Sequence, residues 1–242
     1  MLDKTVMDAL DGKGLIDSIY AEFYFPPIDR IKIRPNLIYS LCAEKNVIHL
    51  GCTDHPQLID RRIDAGIYPH RQLTYVAAKC LGVDINAEAA AHVQKRGIDN
   101  VLVADITRPG ISEIEVADWD WLVMADVLEH IGNPVLFLMK IGECYGKNIR
   151  GIIITVPNAL AYSLNQLLTD GKEVVNYDHC YWFTPYTLCK VVHTAGLIID
   201  DVQMCSYENP PDAIRKNIDT FKQRPILLNT IALTAHWAEP AL

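Results

Sequence analysis

The chain has few basic residues and no long apolar run. Among its 242 residues, 22 are Lys or Arg and 30 are Asp or Glu, which gives a formal net charge of −8. Binding to a nucleic-acid backbone requires clustered positive charge, so we expect no nucleic-acid partner. The longest apolar runs, such as residues 152–156, have the length of a strand and are too short to span a bilayer. We therefore expect no membrane span.

The chain also lacks a cysteine framework, and we expect no secretory leader. Its seven cysteines are an odd number and form no Cys-x-x-Cys pair, which argues against a zinc ribbon and against paired disulfides. Reduced thiols of this kind predict a cytoplasmic location. The first ten residues carry Asp3, Lys4 and Asp8, which a secretory signal would not contain. No spacing of Asp, Glu or His predicts a metal site.

What the sequence does contain is an alternation of short apolar runs with helix-like patterns. Continuous apolar strands that alternate with helices predict a parallel sheet covered on both faces. Two late strands after the last helix predict an antiparallel hairpin at one edge. We expect an α/β fold with a doubly wound, mostly parallel, seven-stranded, Rossmann-like sheet. The predicted strands are residues 47–50, 79–84, 100–105, 121–126, 151–156, 198–206 and 226–236.

Helices are predicted at residues 86–96, 134–144 and 185–195, and the whole chain, residues 1–242, is expected to form a single domain. Residues 1–45 are expected to form an N-terminal arm. Its aromatic and Pro-containing run, residues 20–27, either packs as part of that arm or covers a pocket.

The residues that end the first four strands are the informative ones, because ligands of open α/β sheets bind beyond the carboxyl ends of the strands. These residues are Gly51, Asp84, Asp105 and Asp126. Each Asp alone is explained by a turn or a helix cap. Together they predict one crevice. Asp84 can accept hydrogen bonds from both hydroxyls of a ribose, and Asp105 can accept one from an adenine amino group while Ile106 packs against the ring.

Several segments between Val47 and Ile199 resemble those of class I S-adenosylmethionine (SAM)-dependent methyltransferases. They are Val-Ile-His-Leu-Gly-Cys (47–52), Gly-Val-Asp-Ile-Asn (82–86), Val-Ala-Asp-Ile (103–106), Asp-Val-Leu-Glu-His-Ile-Gly-Asn-Pro (126–134) and Asp-His-Cys-Tyr-Trp-Phe-Thr-Pro-Tyr-Thr-Leu (178–188). The resemblance implies SAM as the cofactor and S-adenosylhomocysteine (SAH) as the product. It implies cofactor binding by Gly51, Cys52, Thr53, Asp84, Ile85, Asp105, Ile106, Asp126 and Val127.

The first loop departs from the pattern of that family. The family's Gly-x-Gly-x-Gly is replaced here by Gly51-Cys52-Thr53-Asp54, which keeps one glycine. SAM has no phosphate, so it tolerates this loop better than NAD, whose pyrophosphate needs the missing glycines. An NAD-dependent reductase is therefore disfavoured. Residues 55–73 form an apparent insertion, which is either a surface excursion or one wall of the cofactor or acceptor site.

Methyl transfer to an alcohol needs a base, and His130 and His179 are the candidates. The alternatives are a helix-end hydrogen bond for His130 and a loop-fixing one for His179. Tyr162, Tyr181 and Trp182 either line an acceptor pocket or belong to the core. His49 and His236 are expected to be core histidines.

The resemblance thus predicts methyl transfer to a small-molecule acceptor. The acceptor group is expected to be a hydroxyl of a sugar, glycan unit or secondary metabolite, and N-methylation of an amino sugar is the nearest variant. Because the glycine loop is degenerate, a non-catalytic protein that binds SAM or SAH is the alternative. Besides the acceptor, a homodimer is an open alternative, because the sequence does not determine the oligomeric state.

Overall fold

Seven strands of the chain form one sheet. The structure, a computed structural model, describes residues 4–13, 20, 22–208 and 215–238. Compared with the predicted strands, the fourth and fifth start two residues earlier, and the third is shorter. The strands are β1 (Asn46–Leu50), β2 (Lys79–Asp84), β3 (Val101–Val103), β4 (Trp119–Ala125), β5 (Ile149–Pro157), β6 (Leu197–Cys205) and β7 (Thr230–Trp237).

The sheet has the strand order β3-β2-β1-β4-β5-β7-β6. The first five strands run parallel, while β7 pairs antiparallel with both β5 and β6. The predicted doubly wound, mostly parallel α/β sheet with antiparallel late strands is confirmed. Because β1 lies between β2 and β4, the strand order reverses direction next to β1, and this reversal opens a crevice at the carboxyl ends of the strands.

Helices connect the strands, and three of the longer ones begin directly after a side chain that caps their first turn. Asn86 and Asn133 each accept a hydrogen bond from the first turn of the helix that follows them. Thr184 forms a capping box with Thr187. The helices are α1 (Lys4–Leu10), α2 (Arg34–Cys42), α3 (Pro56–Asp64), α4 (Pro69–Val76), α5 (Ala87–Lys95), α6 (Ser112–Glu115), α7 (Pro134–Tyr145), α8 (Tyr162–Thr169), α9 (Pro185–Thr194) and α10 (Ile218–Gln223).

The core lies on both faces of the sheet, as continuous apolar strands predict. Ile48, Leu122 and Ile152 stand side by side on β1, β4 and β5 and are fully buried. Trp119, also fully buried, donates its indole N–H to the carbonyl of Ile114 at 3.2 Å. The central strands are therefore packed on both sides by the core.

Two strand predictions and one burial prediction are wrong in detail. Strand β3 ends at Val103, so Asp105 lies two residues beyond it and bonds its own turn at Thr107. The last strand starts at Thr230 rather than residue 226, because residues 225–227 form a 3-10 turn that begins with proline. His236 is half-exposed and pairs with Asp200 at 2.9 Å, so it is not a core histidine.

Within the described residues, no helix is both long enough and apolar enough to cross a membrane.

Candidate active site

A cavity of about 630 Å³ opens beyond the carboxyl ends of β1, β2 and β4. It lies where the strand order reverses, which is the usual ligand position in sheets of this kind. Its volume falls in the range of small-molecule and cofactor sites. Gly51, Cys52, Thr53, Asp84, Ile85, Asp126, Val127, His130 and His179, all predicted from the sequence, line it together.

Gly51 makes the sharp turn out of β1. Its φ is +65°, a left-handed conformation that glycine adopts without steric cost. A Cβ atom there would lie 2.7 Å from Cγ2 of Val127, the residue after Asp126. The loops after β1 and β4 therefore approach each other closely, and only glycine at position 51 permits this approach.

Asp84 holds the first loop in place. Its Oδ2 accepts hydrogen bonds from the backbone N–H and the hydroxyl of Thr53, at 2.9 and 2.8 Å, and its Oδ1 accepts one from the N–H of Asn86. The residue is 7% exposed. A carboxylate oxygen has two acceptor positions, so Oδ1 retains one for a ligand. The hydrogen bonds from Thr53 to Asp84 thus keep this loop compact, and they do not require a second glycine.

Asp126 and Arg34 form a partly buried ion pair in the cavity wall. Asp126 follows β4 with a φ of +57°, and Arg34 begins α2. The guanidinium of Arg34 also lies 3.9 Å above the ring of Tyr207. Two atoms of the pair, Arg34 Nε and Asp126 Oδ1, are buried without a hydrogen-bond partner among the described residues. The sequence carries no local signal for Arg34 or Tyr207, and both were missed.

The segment 55–73 forms helices α3 and α4 and contributes one wall of the cavity. Residues of both helices line the cavity, and a role of the segment in binding cofactor or acceptor stays a prediction. Arg62 forms an ion pair with Asp54 of the first loop, and the hydroxyl of Tyr68 donates to the carbonyl of Cys52 at 2.9 Å. These contacts join the inserted helices to the loop after β1.

Glu129, His130 and His179 form a cluster on another side of the cavity. Each offers one ligating atom, and the three atoms lie within 4.8 Å of one another. Burial, with the nearby Asp126 charge as the second cause, raises the pKa of the Glu129 carboxyl to about 8. The His130 and His179 rings are 4.7 Å apart, edge to face. Sequence spacing predicted no metal site, because His179 lies some fifty residues after the other two; only folding brings them together.

The segment that carries His179 is tied to the segment that carries Glu129. The backbone N–H groups of Cys180 and Tyr181 donate to the carbonyl of Glu129 at 2.7 and 3.2 Å. The Tyr181 hydroxyl donates to the carbonyl of Gly132 at 2.8 Å. The relative positions of the two histidines are therefore fixed by main-chain contacts.

Five predicted site residues do not line the cavity. Asp105 bonds Thr107 and Arg108, and Ile106 is buried in the main core. Tyr162 packs edge to face on Phe221, and Trp182 lies 6.0 Å from His179. The fifth is Tyr181, whose hydroxyl donates to the carbonyl of Gly132. Their binding roles stay predictions.

His49 lies at the bottom of the cavity, stacked on buried His70 with a distance of 3.3 Å between their Nδ1 atoms. It is buried, as predicted for a core histidine. Burial lowers the pKa of His70 to about 4 and lowers that of His49 well below its usual range, with the neighbouring ring and Arg34 adding repulsion to His49.

These depressed pKa values predict a loss of stability in acid. Between pH 6.5 and pH 4 the unfolded chain protonates at His70 and the folded chain does not, so the free energy of unfolding falls as the pH falls. For one such histidine the slope is about 1.4 kcal/mol per pH unit. In urea unfolding at several pH values, His70→Asn should have a shallower slope than wild type. His236→Asn, at a half-exposed histidine, serves as the control. Identical slopes for wild type and His70→Asn would contradict the prediction.

No protein-family model matches the chain, and no curated protein does. Solved structures do resemble it. Magnesium protoporphyrin IX methyltransferase from Synechocystis PCC 6803, with bound SAH, has a TM-score of 0.55 and 14% identity over 85% of this chain and 82% of that one. A SAM-dependent methyltransferase from Clostridium acetobutylicum ATCC 824 has a TM-score of 0.54 and 11% identity over 85% of this chain and 91% of that one.

The small RNA methyltransferase HEN1 has a TM-score of 0.57 and 16% identity over 93% of this chain, which spans only 27% of that protein. Identities this low concern the fold alone. The strand order, the position of the cavity and these three similarities agree: the chain has the Rossmann-like fold of the class I SAM-dependent methyltransferases.

Proposed function

We propose that the chain is a SAM-dependent methyltransferase that transfers the methyl group to a hydroxyl of a small-molecule acceptor. The observation that carries the proposal is the pair of unpartnered buried atoms in the cavity wall, Arg34 Nε and Asp126 Oδ1. One is a donor on a cation and the other an acceptor on an anion. The amino-acid end of SAM presents the complementary pair, a carboxylate and an ammonium group.

The remaining part of SAM is matched by the neighbouring strand end. Asp84 keeps one acceptor position for a ribose hydroxyl, and Ile85 next to it exposes 75% of its surface. That apolar surface suits an adenine ring. Asp105 and Ile106, predicted to hold adenine, lie outside the cavity lining. The solved structure of the Synechocystis enzyme, which has bound SAH, supports the choice of cofactor.

In the proposed reaction the acceptor oxygen attacks the methyl carbon of SAM in line with the sulfur. The new C–O bond uses an oxygen lone pair, and the electrons of the C–S bond remain on sulfur, which leaves as the thioether SAH. The hydroxyl proton passes to His130 or His179, which line the cavity. The walls contribute by holding the two reactants at attack distance.

A small, neutral acceptor fits the charge of the cavity. The two arginines that line it, Arg34 and Arg62, are each paired with an aspartate, and the chain has a net charge of −8. The cavity therefore offers a polyanion no unpaired arginine, so we prefer a sugar, a glycan unit or a secondary metabolite to a nucleic acid, although one structurally similar protein is a small RNA methyltransferase.

Calorimetry with SAM, SAH and NAD tests the proposal. We expect SAM and SAH to bind at one site per chain and NAD not to bind. Incubation with methyl-labelled SAM and a panel of sugars should then yield a labelled product. Binding of SAM without transfer to any acceptor supports the non-catalytic alternative, and binding of NAD instead of SAM refutes both.

Asp84→Ala should weaken SAM binding. The change removes the ribose acceptor and releases the Thr53 and Asn86 donors, so we expect a loss of about 1–3 kcal/mol, which is roughly 5- to 150-fold in Kd. Asp105→Ala is the matched control, because it deletes the same group outside the cavity lining. Equal losses in the two variants would instead favour the adenine contact predicted for Asp105.

A further inference from the structure

Glu129 is the most unusual side chain in the cavity wall. It is fully buried, and neither carboxylate oxygen has a hydrogen-bond partner among the described residues. His179 belongs to the same cluster, and its Nδ1 is also buried without a hydrogen-bond partner among the described residues. Buried polar groups in folded proteins are nearly always paired, so these atoms indicate a missing ligand.

The surroundings favour a cation as that ligand. Asp126 and Asp178 place negative charge near Glu129, and both line the same cavity. The buried cation beside them, Arg34, is already paired with Asp126. A ligand that supplies positive charge and accepts electron pairs from two imidazoles and a carboxylate is a metal ion.

We propose that Glu129, His130 and His179 bind one divalent transition-metal ion, with further coordination positions open to the cavity for an oxygen of the acceptor. Two histidines and one carboxylate suit zinc, manganese, iron or cobalt better than magnesium or calcium, which prefer oxygen ligands alone. Three protein ligands with an open position are typical of catalytic rather than structural metal sites.

The cluster is built as a preorganised metal site. Glu129 and His130 share the short 3-10 helix after β4, and His179 is held against it by the main-chain bonds from Cys180 and Tyr181 to the Glu129 carbonyl. Asp178 Oδ1 lies 3.4 Å from Nδ1 of His130. A carboxylate beside a ligating histidine orients its ring and makes it a better ligand.

A metal ion at this position would take part in the proposed methyl transfer, and this catalytic role rests on the proposed function. An acceptor hydroxyl bound to the metal becomes more acidic, so its proton is released to water before the oxygen attacks the methyl carbon. His130 and His179 then act as ligands, which replaces the base role given to them in the proposed reaction and leaves the methyl transfer itself unchanged. Metal binding itself does not depend on the proposed function.

The first test is metal binding by the purified protein after removal of metals with EDTA. Calorimetry with MnCl2, CoCl2 and ZnCl2 should show one ion per chain, with MgCl2 binding more weakly. Glu129→Gln and His179→Gln should each reduce the affinity at least tenfold. His193→Gln, at a histidine paired with Asp11, is the control and should bind metal as wild type does. Wild-type protein that binds none of these metals, or variants that bind undiminished, would overturn the proposal.

A second measurement needs no variant. Pulsed electron paramagnetic resonance of the Mn²⁺-loaded wild-type protein should detect couplings to histidine nitrogen. A spectrum with water ligands alone would overturn the site even if the variants fail to fold.

Activity separates the failure of this inference from the failure of the proposed function. Methyl transfer that is abolished by EDTA and restored by Mn²⁺ or Co²⁺ supports both. Transfer that is unaffected by EDTA refutes the metal role and leaves the proposed function intact. Metal binding without any SAM binding leaves the site intact and refutes the proposed function.

Discussion

Replacing Arg34 with Met should lower the free energy of unfolding by about 3 kcal/mol, because it leaves the Asp126 carboxylate without its cation in a largely buried position. This loss of stability is at the low end of the range for buried ion pairs, because the Asp126 side chain is 23% exposed. Urea unfolding followed by circular dichroism measures it. The same variant should bind SAM more weakly, because Arg34 Nε is proposed to hold the SAM carboxylate.

Two variants show whether the loss comes from the uncompensated charge. Arg34→Met combined with Asp126→Asn removes both charges and should recover part of the stability. Arg150→Met breaks the exposed pair of Arg150 with Asp120 and should change stability by about 0.5 kcal/mol or less. If the double variant is as unstable as the sum of its single changes, the ion pair is not the cause.

Gly51→Ala should have an effect of similar size. The left-handed backbone at φ +65° costs an L-residue about 1–2 kcal/mol. The new methyl group would also lie 2.7 Å from Val127 Cγ2, and overpacking of this kind costs a further ~1–3 kcal/mol. Thermal unfolding with and without SAM measures both the stability and the remaining stabilisation by the cofactor.

The two contributions can be separated with controls that the chain supplies. Gly66 has a nearly equal φ of +69°, and a Cβ atom added there would meet no other atom within 4 Å, so Gly66→Ala reports the backbone cost alone. Gly51→Ala combined with Val127→Ala removes the close contact and should recover stability relative to Gly51→Ala. An equal loss in Gly51→Ala and Gly66→Ala would show that the approach of the two loops is unimportant.

The fold was predictable because its signals are local. Each parallel strand contains a short apolar run, and helix starts such as Asn86 and Thr184 are encoded in the residues that form them. Gly51 and Asp84 were also found from the sequence, since a strand end fixes where a residue stands relative to its sheet. The predicted end of the third strand is wrong, because the Asp105 side chain accepts a hydrogen bond from its own turn and no local sequence pattern shows this.

The α/β sheet, the edge at which the cavity opens and the loop residues at the ends of β1, β2 and β4 thus follow from the amino-acid sequence. Which side chains complete the cavity follows only from the packing of the folded chain. Arg34 and Asp126 are 92 residues apart, and Glu129 lies in the 3-10 helix after β4 while His179 lies in a later loop. Hydrophobic periodicity places a residue in its own helix or strand. The contacts between side chains of distant segments arise from how those elements pack, and packing depends on all of them at once.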